Sequence, residues 1–154
     1  MSYTSTKIIE LGSCAFRQPN AAFDRPGAGI NSKRCSFVHG YKLQAKFWFE
    51  CSHLDEKNWS VDFGGLGNLK LMLQHQFDHT LTVDKSDPLL PLFEELHKQG
   101  GCDLRVMDGV GIEKVSEWCF KVANQHIQEI TNKRCWVSKV EVWEHDKNSA
   151  IYIE

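Results

Sequence analysis

The sequence has no long apolar run and no excess of basic residues. A membrane-spanning helix needs about 18 or more consecutive apolar residues, so none is expected. The start of the chain shows no basic segment followed by an apolar block, as a secretory signal would. A formal net charge of −2 does not favour binding to nucleic-acid phosphates. We therefore expect a cytoplasmic protein with neither a membrane nor a nucleic-acid partner.

Closely spaced cysteine pairs are also missing. The six cysteines include no CxxC pair, which excludes the spacing of a zinc ribbon or a thioredoxin-type site. Their even number would allow disulfides, but cytoplasmic thiols stay reduced. Most of them are expected to be small buried hydrophobic residues, namely Cys51, Cys102, Cys119 and Cys135.

Hydrophobic periodicity predicts a single α+β domain over residues 1–154, because no repeat, low-complexity tract or linker divides the chain. Alternation predicts strands, and a period near 3.6 residues predicts helices. The segment 17–36, with two prolines and two glycines, is expected to be a long functional loop. The strands are expected over residues 6–16, 37–53 and 135–144, and the helices over residues 64–77, 88–98 and 111–130. In the first helix, an apolar stripe is expected from Leu66, Leu69, Leu73 and Phe77.

A cysteine and a histidine precede the longest predicted strand. Cys35 follows Lys33 and Arg34, and nearby positive charge favours the reactive thiolate form of a cysteine. His39 and Tyr41 are two residues apart, so they share one face of the strand. The alternative is a cysteine at a strand start and a histidine with an ordinary hydrogen-bonding role.

An acid and a base are adjacent at the end of the first predicted helix. Asp78 can orient the imidazole of His79 for proton transfer. Alternatively, a histidine at this position complements the helix dipole without any catalytic role.

Two carboxylates are candidates for ligand binding. Glu113 begins the longest predicted helix, and Glu144 ends the last predicted strand. A carboxylate can accept paired N–H donors from a heterocycle with an amidine edge. The alternatives are a favourable interaction with the helix dipole for Glu113 and solvation for Glu144.

These clusters, in this order, resemble the 6-pyruvoyl-tetrahydropterin synthase / 6-carboxy-tetrahydropterin synthase family. The family has a Cys, three residues and then His-Gly-His on a strand, and later an Asp-His pair and a closing Val-x-Val-x-Glu strand. The resemblance covers about residues 7–152. Its five elements are Cys35 to Tyr41, Asp62 to Leu66, Asp78 to Leu81, Gly111 to Lys114 and Val140 to Glu144.

The resemblance implies the tunnelling fold, with a four-stranded antiparallel sheet and two main helices on one face. It implies that trimers pair into a homo-hexamer with active sites between subunits. The implied substrate is dihydroneopterin triphosphate or a related pterin, in a pterin or deazapurine (queuosine precursor) pathway. The implied reaction is that of a carbon–oxygen or carbon–carbon lyase.

The resemblance also implies a role for each matching residue. Cys35 corresponds to the base, Asp78 and His79 to the proton relay, Glu144 to the pterin anchor and Glu113 to a supporting site residue. Charge alone suggests which residues would meet the triphosphate. They are Arg17, Arg25, Lys33 and Arg34.

The chain departs from the family at its zinc site, where three histidines are expected. The corresponding positions here are Phe16, His39 and Tyr41. One imidazole does not hold a catalytic zinc, which normally takes three protein ligands. His39 would need co-ligands such as Cys14 or Tyr41, or Cys35 turned from base to ligand. The alternatives to an enzyme are a non-catalytic pterin-binding paralogue that has lost the zinc site, and a structural oligomer with no ligand.

Overall fold

A computed structural model describes residues 1–22 and 33–154, and in this part of the chain six strands form one mixed sheet. In chain order the strands are β1 (Tyr3–Phe16), β2 (His39–Cys51), β3 (Thr80–Asp84), β4 (Leu104–Met107), β5 (Cys135–His145) and β6 (Asn148–Ile153). The α-helices are α1 (Gly67–Phe77), α2 (Leu90–Lys98) and α3 (Ile112–Ile130). Single 3-10 turns lie at Pro19–Ala22, Arg34–Ser36 and Phe63–Leu66.

The strand order is β4-β3-β1-β2-β5-β6. The pairs among β1, β2, β5 and β6 are antiparallel, whereas β3 runs parallel to β1 and β4 runs parallel to β3. The α+β prediction is confirmed, but the prediction of a four-stranded antiparallel sheet is wrong. The two parallel strands have only five and four residues, and four of the five residues of β3 are buried. A short strand buried on both faces lacks the alternation by which strands are recognised.

The main core lies between β2 and the two helices α1 and α3. Every second residue of β2 from Leu43 to Cys51 is fully buried, because alternate side chains of a strand face opposite sides. Helix α1 buries Leu69, Leu73 and Phe77 on this core, as the predicted apolar stripe required. A smaller core forms under the third helix, α2, from Leu81, Val83 and Phe93.

All six cysteines are free, and three of the four expected to be buried are fully buried. The exception is Cys102, which is partly exposed. In the described part of the chain, no helix combines the length and apolar character needed to cross a bilayer.

The sheet register brings the predicted site residues to one end of the sheet. Phe16 at the end of β1 lies opposite His39 at the start of β2. Strand β3 begins beside Cys14, and the end of β5 lies beside the first half of β2. Residues that are far apart in the chain therefore meet here.

Candidate active site

Three aromatic rings meet where the end of β1 lies beside the start of β2. The ring centroids are 5.2 Å apart for Phe16 and His39, 5.9 Å for Phe16 and Tyr41, and 5.6 Å for His39 and Tyr41. These distances are typical of packed aromatic pairs. The imidazole of His145, at the end of β5, adds a fourth ring, with its centroid 6.0 Å from that of Tyr41. These four residues are called the ring cluster below.

Hydrogen bonds indicate which ring nitrogen carries the proton in each of the two imidazoles of the ring cluster. His39 Nδ1 lies 2.7 Å from the carbonyl oxygen of Phe37, which can only accept. Nδ1 of His39 therefore carries the proton, and Nε2 keeps its lone pair. His145 Nδ1 accepts the backbone N–H of Lys147 at 3.1 Å, so the proton of its neutral form is on Nε2. Within the ring cluster, the available imidazole lone pair is that of His39 Nε2.

Tyr41 is a neutral phenol in this environment. Partial burial raises its pKa, and electrostatic interactions with Glu144 and Cys35 raise it further. A neutral phenol donates one hydrogen bond and does not act as a phenolate ligand. The same interactions place Glu144 and Cys35, two predicted site residues, within electrostatic reach of one hydroxyl.

The thiol of Cys14, a predicted zinc co-ligand, is buried beside β3. Its sulfur lies 3.3 Å from the hydroxyl of Thr82 and 3.7 Å from the hydroxyl of Thr80. Burial raises the pKa of the Cys14 thiol, which opposes the thiolate that a metal would need. The nearest polar partner of this sulfur is therefore the Thr82 hydroxyl of β3.

The side chains at the expected zinc position do not fit a zinc ion. Phe16 has no donor atom, Tyr41 is neutral and His39 offers one nitrogen, whereas catalytic zinc takes three protein ligands. Within residues 1–22 and 33–154, no group of three or more His, Cys, Asp or Glu side chains is placed to hold a metal ion. The chemistry that these side chains offer is ring packing and hydrogen bonding.

A cavity of about 510 Å³ opens beside the ring cluster, between the start of α3 and the turn that joins β5 to β6. Phe16 forms part of its wall, and Glu113 and Glu144 both line it. Small-molecule sites commonly have volumes of about 300–1,000 Å³. Asn148 donates a hydrogen bond to Glu144 Oε1 at 2.8 Å, which orients the carboxylate. The cavity therefore has the size and the oriented acceptor that a heterocycle with an amidine edge requires.

The end of β1 holds Cys35 near the ring cluster. The backbone N–H of Gln18 donates to the Cys35 carbonyl at 2.7 Å, and Arg17 Nη1 donates to the Ser36 carbonyl at 2.9 Å. The thiol of Cys35 itself is exposed. The predicted base is therefore open to a ligand on a backbone that is anchored at two points.

Arg17 makes a two-point salt bridge with a buried carboxylate. Its Nε and Nη2 atoms donate to the two oxygens of Asp87 at 2.7 and 2.8 Å. The guanidinium lowers the pKa of Asp87 by this contact. Among the residues predicted to meet a triphosphate, Arg17 is thus engaged within the protein. Lys33 and Arg34 lie exposed beside the Cys35 turn, and Arg25 lies outside the described residues.

Of the Asp78–His79 pair, His79 lines a neighbouring cavity of about 460 Å³ that Tyr41 also lines. His79 Nδ1 is 2.9 Å from Asp78 Oδ1, so the carboxylate orients the imidazole. His79 has a φ of 59°, an uncommon conformation that often marks a functional turn. Gly12 makes room for this pair, since a side chain at that position would overlap the Asp78 carboxylate.

The structure thus gathers most of the predicted residues around the ring cluster, with His79 lining the adjoining cavity and Asp78 in contact with His79. Sequence reasoning missed Asp87 as the partner of Arg17 and Asn148 as the partner of Glu144. No local pattern connects Arg17 with Asp87, whereas the four-residue separation of Glu144 and Asn148 across a short turn was a usable signal.

A further groove, of about 480 Å³, lies between the start of β1 and the segment that leads into α1. Tyr3, Trp59 and Phe63 give it an apolar lining. Its one carboxylate, Asp62, accepts the backbone N–H of Gly64 at 2.9 Å and so caps the turn. Since the lining of this groove includes no imidazole or thiol, the site beside the ring cluster is the better candidate.

Known structures share this fold. An uncharacterized protein from Wolinella succinogenes matches with a TM-score of 0.77 and 19% identity, covering 100% of this chain and 99% of the other. A catalytic-residue mutant of Plasmodium vivax 6-pyruvoyltetrahydropterin synthase matches with a TM-score of 0.64 and 13% identity, covering 99% and 98%. Caenorhabditis elegans 6-pyruvoyl tetrahydropterin synthase matches with a TM-score of 0.60 and 15% identity, covering 100% and 96%.

The sequence comparisons give a family assignment. No curated protein matches the chain. The sequence profile of the 6-pyruvoyl tetrahydropterin synthase family matches residues 13–154, which is most of the chain. The chain therefore belongs to the 6-pyruvoyl tetrahydropterin synthase family.

Proposed function

We propose that this protein binds dihydroneopterin triphosphate or a related pterin in the cavity beside the ring cluster and transforms it by acid–base chemistry. The observation that carries the proposal is that Glu113 and Glu144 both line one cavity of about 510 Å³. Membership of the tetrahydropterin synthase family supports the same ligand class. The product would enter a pterin or deazapurine (queuosine precursor) pathway.

In this proposal, Glu144 accepts the paired N–H donors of the pterin ring and Asn148 keeps its carboxylate in place. Cys35 removes a proton from a side-chain carbon as a thiolate. His79, oriented by Asp78, returns a proton to the reacting side chain. In the carbon–oxygen lyase, the electron pair left on that carbon expels the triphosphate from the adjacent carbon as the carbon–oxygen bond breaks. In the carbon–carbon lyase, the proton is taken instead from a side-chain hydroxyl, the fragment that carries it leaves as an aldehyde, and the carbon that it leaves takes up the returned proton.

A second candidate is a pterin-binding paralogue without catalysis. It is favoured by the residues at the expected zinc site, where Phe16 and Tyr41 occupy two of the three positions at which a zinc ligand is expected. Without zinc the site has no Lewis acid, and it therefore acidifies a carbon-bound proton less effectively. The pocket carboxylates serve binding in either case.

The binding test compares two neutralised glutamates on β5. Glu144→Gln is expected to weaken binding of dihydroneopterin triphosphate by about 10- to 100-fold, because a charge-assisted hydrogen-bond pair is lost. Glu141→Gln is the matched control, since Glu141 does not line the cavity, and the amide oxygen of a glutamine still accepts the hydrogen bond that Ser149 donates to it. Isothermal titration calorimetry gives both affinities. Equal affinities in the two variants would refute the Glu144 assignment.

A turnover measurement distinguishes the proposed enzyme from the pterin-binding paralogue without catalysis. Chromatography of dihydroneopterin triphosphate incubated with the wild-type protein should show product formation that Cys35→Ala abolishes, while binding persists. Binding without turnover in the wild-type protein would instead favour the paralogue.

We also propose a homo-hexamer built as a dimer of trimers. Within the described residues, β3 pairs only with the last three residues of β1, and Ser13 is hydrogen-bonded to Asp78 and His79, which leaves residues 3–12 of that edge without a strand partner. Strand β6 forms the opposite edge of the sheet. Open strand edges are templates for pairing with another chain.

We place the protein in the cytoplasm. All six cysteines are free, and Cys51 and Cys135 are direct cross-strand partners without forming a disulfide. Free thiols in such numbers suit a reducing compartment.

A further inference from the structure

We propose that Tyr41 and His39 recognise a hydroxyl group of the ligand side chain by hydrogen bonds, without a metal, at the position where the family is expected to hold zinc. The inference rests on the proposed function, because it describes how the side chain of the same ligand is held next to the cavity that contains Glu113 and Glu144. It assigns ligand-positioning roles to two residues of the ring cluster.

The donor and acceptor atoms at this position are complementary to a hydroxyl group. Nε2 of His39 is an acceptor, because Nδ1 of the same ring carries the proton and donates a hydrogen bond to the Phe37 carbonyl at 2.7 Å. The hydroxyl of Tyr41 is a donor, since an ordinary phenol keeps its proton at neutral pH. An alcohol both donates and accepts, so one ligand hydroxyl satisfies both groups.

Both groups are open to a ligand. His39 and Tyr41 are each partly exposed, whereas Phe16 is only 8% exposed and packs against both of them. The rings of His39 and Tyr41 meet edge to face, at an interplanar angle of 89°. Phe16 therefore fills the space that a third metal ligand would need, and supplies a wall in its place.

The position relative to the other site residues fits a ligand side chain. Phe16 lines the cavity that holds Glu113 and Glu144, and Tyr41 lines the cavity that holds His79. A heterocycle anchored at Glu144 would thus extend its side chain across the ring cluster toward His79.

The first test measures metal content. Elemental mass spectrometry of the untagged wild-type protein, after zinc chloride is added and the excess removed, is expected to find far less than one zinc per chain. The double variant Phe16→His/Tyr41→His restores three imidazoles and should approach one zinc per chain. Stoichiometric zinc in the wild-type protein, lost in His39→Ala, would overturn the inference.

The second test uses two pterins that differ in the side chain. Neopterin carries a trihydroxypropyl group, and 6-methylpterin carries no hydroxyl on its substituent. Tyr41→Phe is expected to weaken neopterin binding by about 3- to 10-fold, the loss of one hydrogen bond, and to leave 6-methylpterin binding unchanged. Tyr3→Phe, at the far end of β1, is the matched control. Calorimetry with EDTA and with zinc chloride should give equal wild-type affinities.

The outcomes separate this inference from the proposed function. If neither pterin nor dihydroneopterin triphosphate binds the wild-type protein, the proposed function fails, and this inference fails with it. If both pterins bind but zinc strengthens neopterin binding, or Tyr41→Phe affects the two pterins equally, only this inference is overturned. Because Tyr41→Phe is nearly isosteric, it keeps the test valid even if the double variant does not fold.

Discussion

Arg17 and Asp87 lie 70 residues apart in the chain, yet their side chains decide where the Cys35 turn is held. The carboxylate of Asp87 is fully buried and the guanidinium is 11% exposed. Breaking a buried pair is costly because it leaves an uncompensated charge away from water. At this site, a residue expected from its charge to bind ligand instead supports the backbone next to the predicted base.

We expect Asp87→Asn to lower the free energy of unfolding at neutral pH by about 3–5 kcal/mol, the usual cost of breaking a buried pair. Arg17 lowers the pKa of Asp87 in the folded protein. A carboxyl group whose pKa is lower in the folded than in the unfolded protein stabilises the folded state at pH values above its pKa in the unfolded protein, which is about 3.9 for Asp. This stabilisation is lost as the pH falls through the pKa of the group in the folded protein. The difference between wild type and variant should therefore shrink below about pH 4.

Urea unfolding followed by circular dichroism at a series of pH values measures this difference. Asp146→Asn is the control, because the side chain of Asp146 is 93% exposed, and its effect should stay within about 0.5 kcal/mol. A wild-type to Asp87→Asn difference that does not change down to pH 2 would contradict the assigned role.

The roles assigned to the individual site residues stay predictions, but the grouping of two of them was predictable from residue type and position. Glu144 and Glu113 were expected on one site, and the structure brings them to one cavity. The packing of Phe16 against His39 and Tyr41 was not predictable, because it depends on the register between β1 and β2.

Helix α1 illustrates how well a periodic element can be predicted. The stripe Leu66, Leu69, Leu73 and Phe77 was read from sequence, and each of its members is at most 3% exposed. Strands β3 and β4 were not predicted, because short segments without alternation carry little periodic signal. Helix α2 was predicted, although its packing on the small core with Leu81 and Val83 was not.

We expect Phe77→Ala to reduce the free energy of unfolding by about 3–5 kcal/mol, since it removes a fully buried ring and leaves a cavity. The ring packs edge to face on Trp118 of α3, with centroids 5.2 Å apart, so the change loosens the contact between the two main helices. Leu71→Ala, on the exposed side of α1, is the control and should change the free energy by no more than about 0.5 kcal/mol. Equal losses in the two variants, measured by chemical denaturation, would contradict this packing.

In the part of the chain that the structure describes, β6 is an edge strand, and residues 3–12 of β1 have no strand partner on the side where β3 pairs with the end of β1. The face of the sheet opposite the helices carries exposed apolar side chains. Ile8 on β1 and Ile151 and Ile153 on β6 are each about half exposed or more. Isolated chains usually protect such edges with charges or prolines. Pairing between copies of the chain would cover the edges and is consistent with the proposed hexamer.

Light scattering coupled to size exclusion tests the assembly. The wild-type protein is expected at the mass of six 17.7 kDa chains. The double variant Ile151→Lys/Ile153→Lys should yield smaller species, because lysines on an edge strand oppose edge pairing. Leu71→Lys, an exposed apolar position on α1, is the matched control and should keep the wild-type mass. A wild-type mass of one chain would refute the hexamer.

The sequence by itself determined the α+β class, the long helices and strands, and the residue types that can perform acid–base chemistry, because periodicity and side-chain chemistry are local properties. The tertiary structure decided the six-stranded mixed order, the salt bridge between Arg17 and Asp87, and the ring cluster in which Phe16 stands among three polar rings. These features arise from strand register and from contacts between distant segments. Such contacts form only when the whole core packs, which a local pattern does not record.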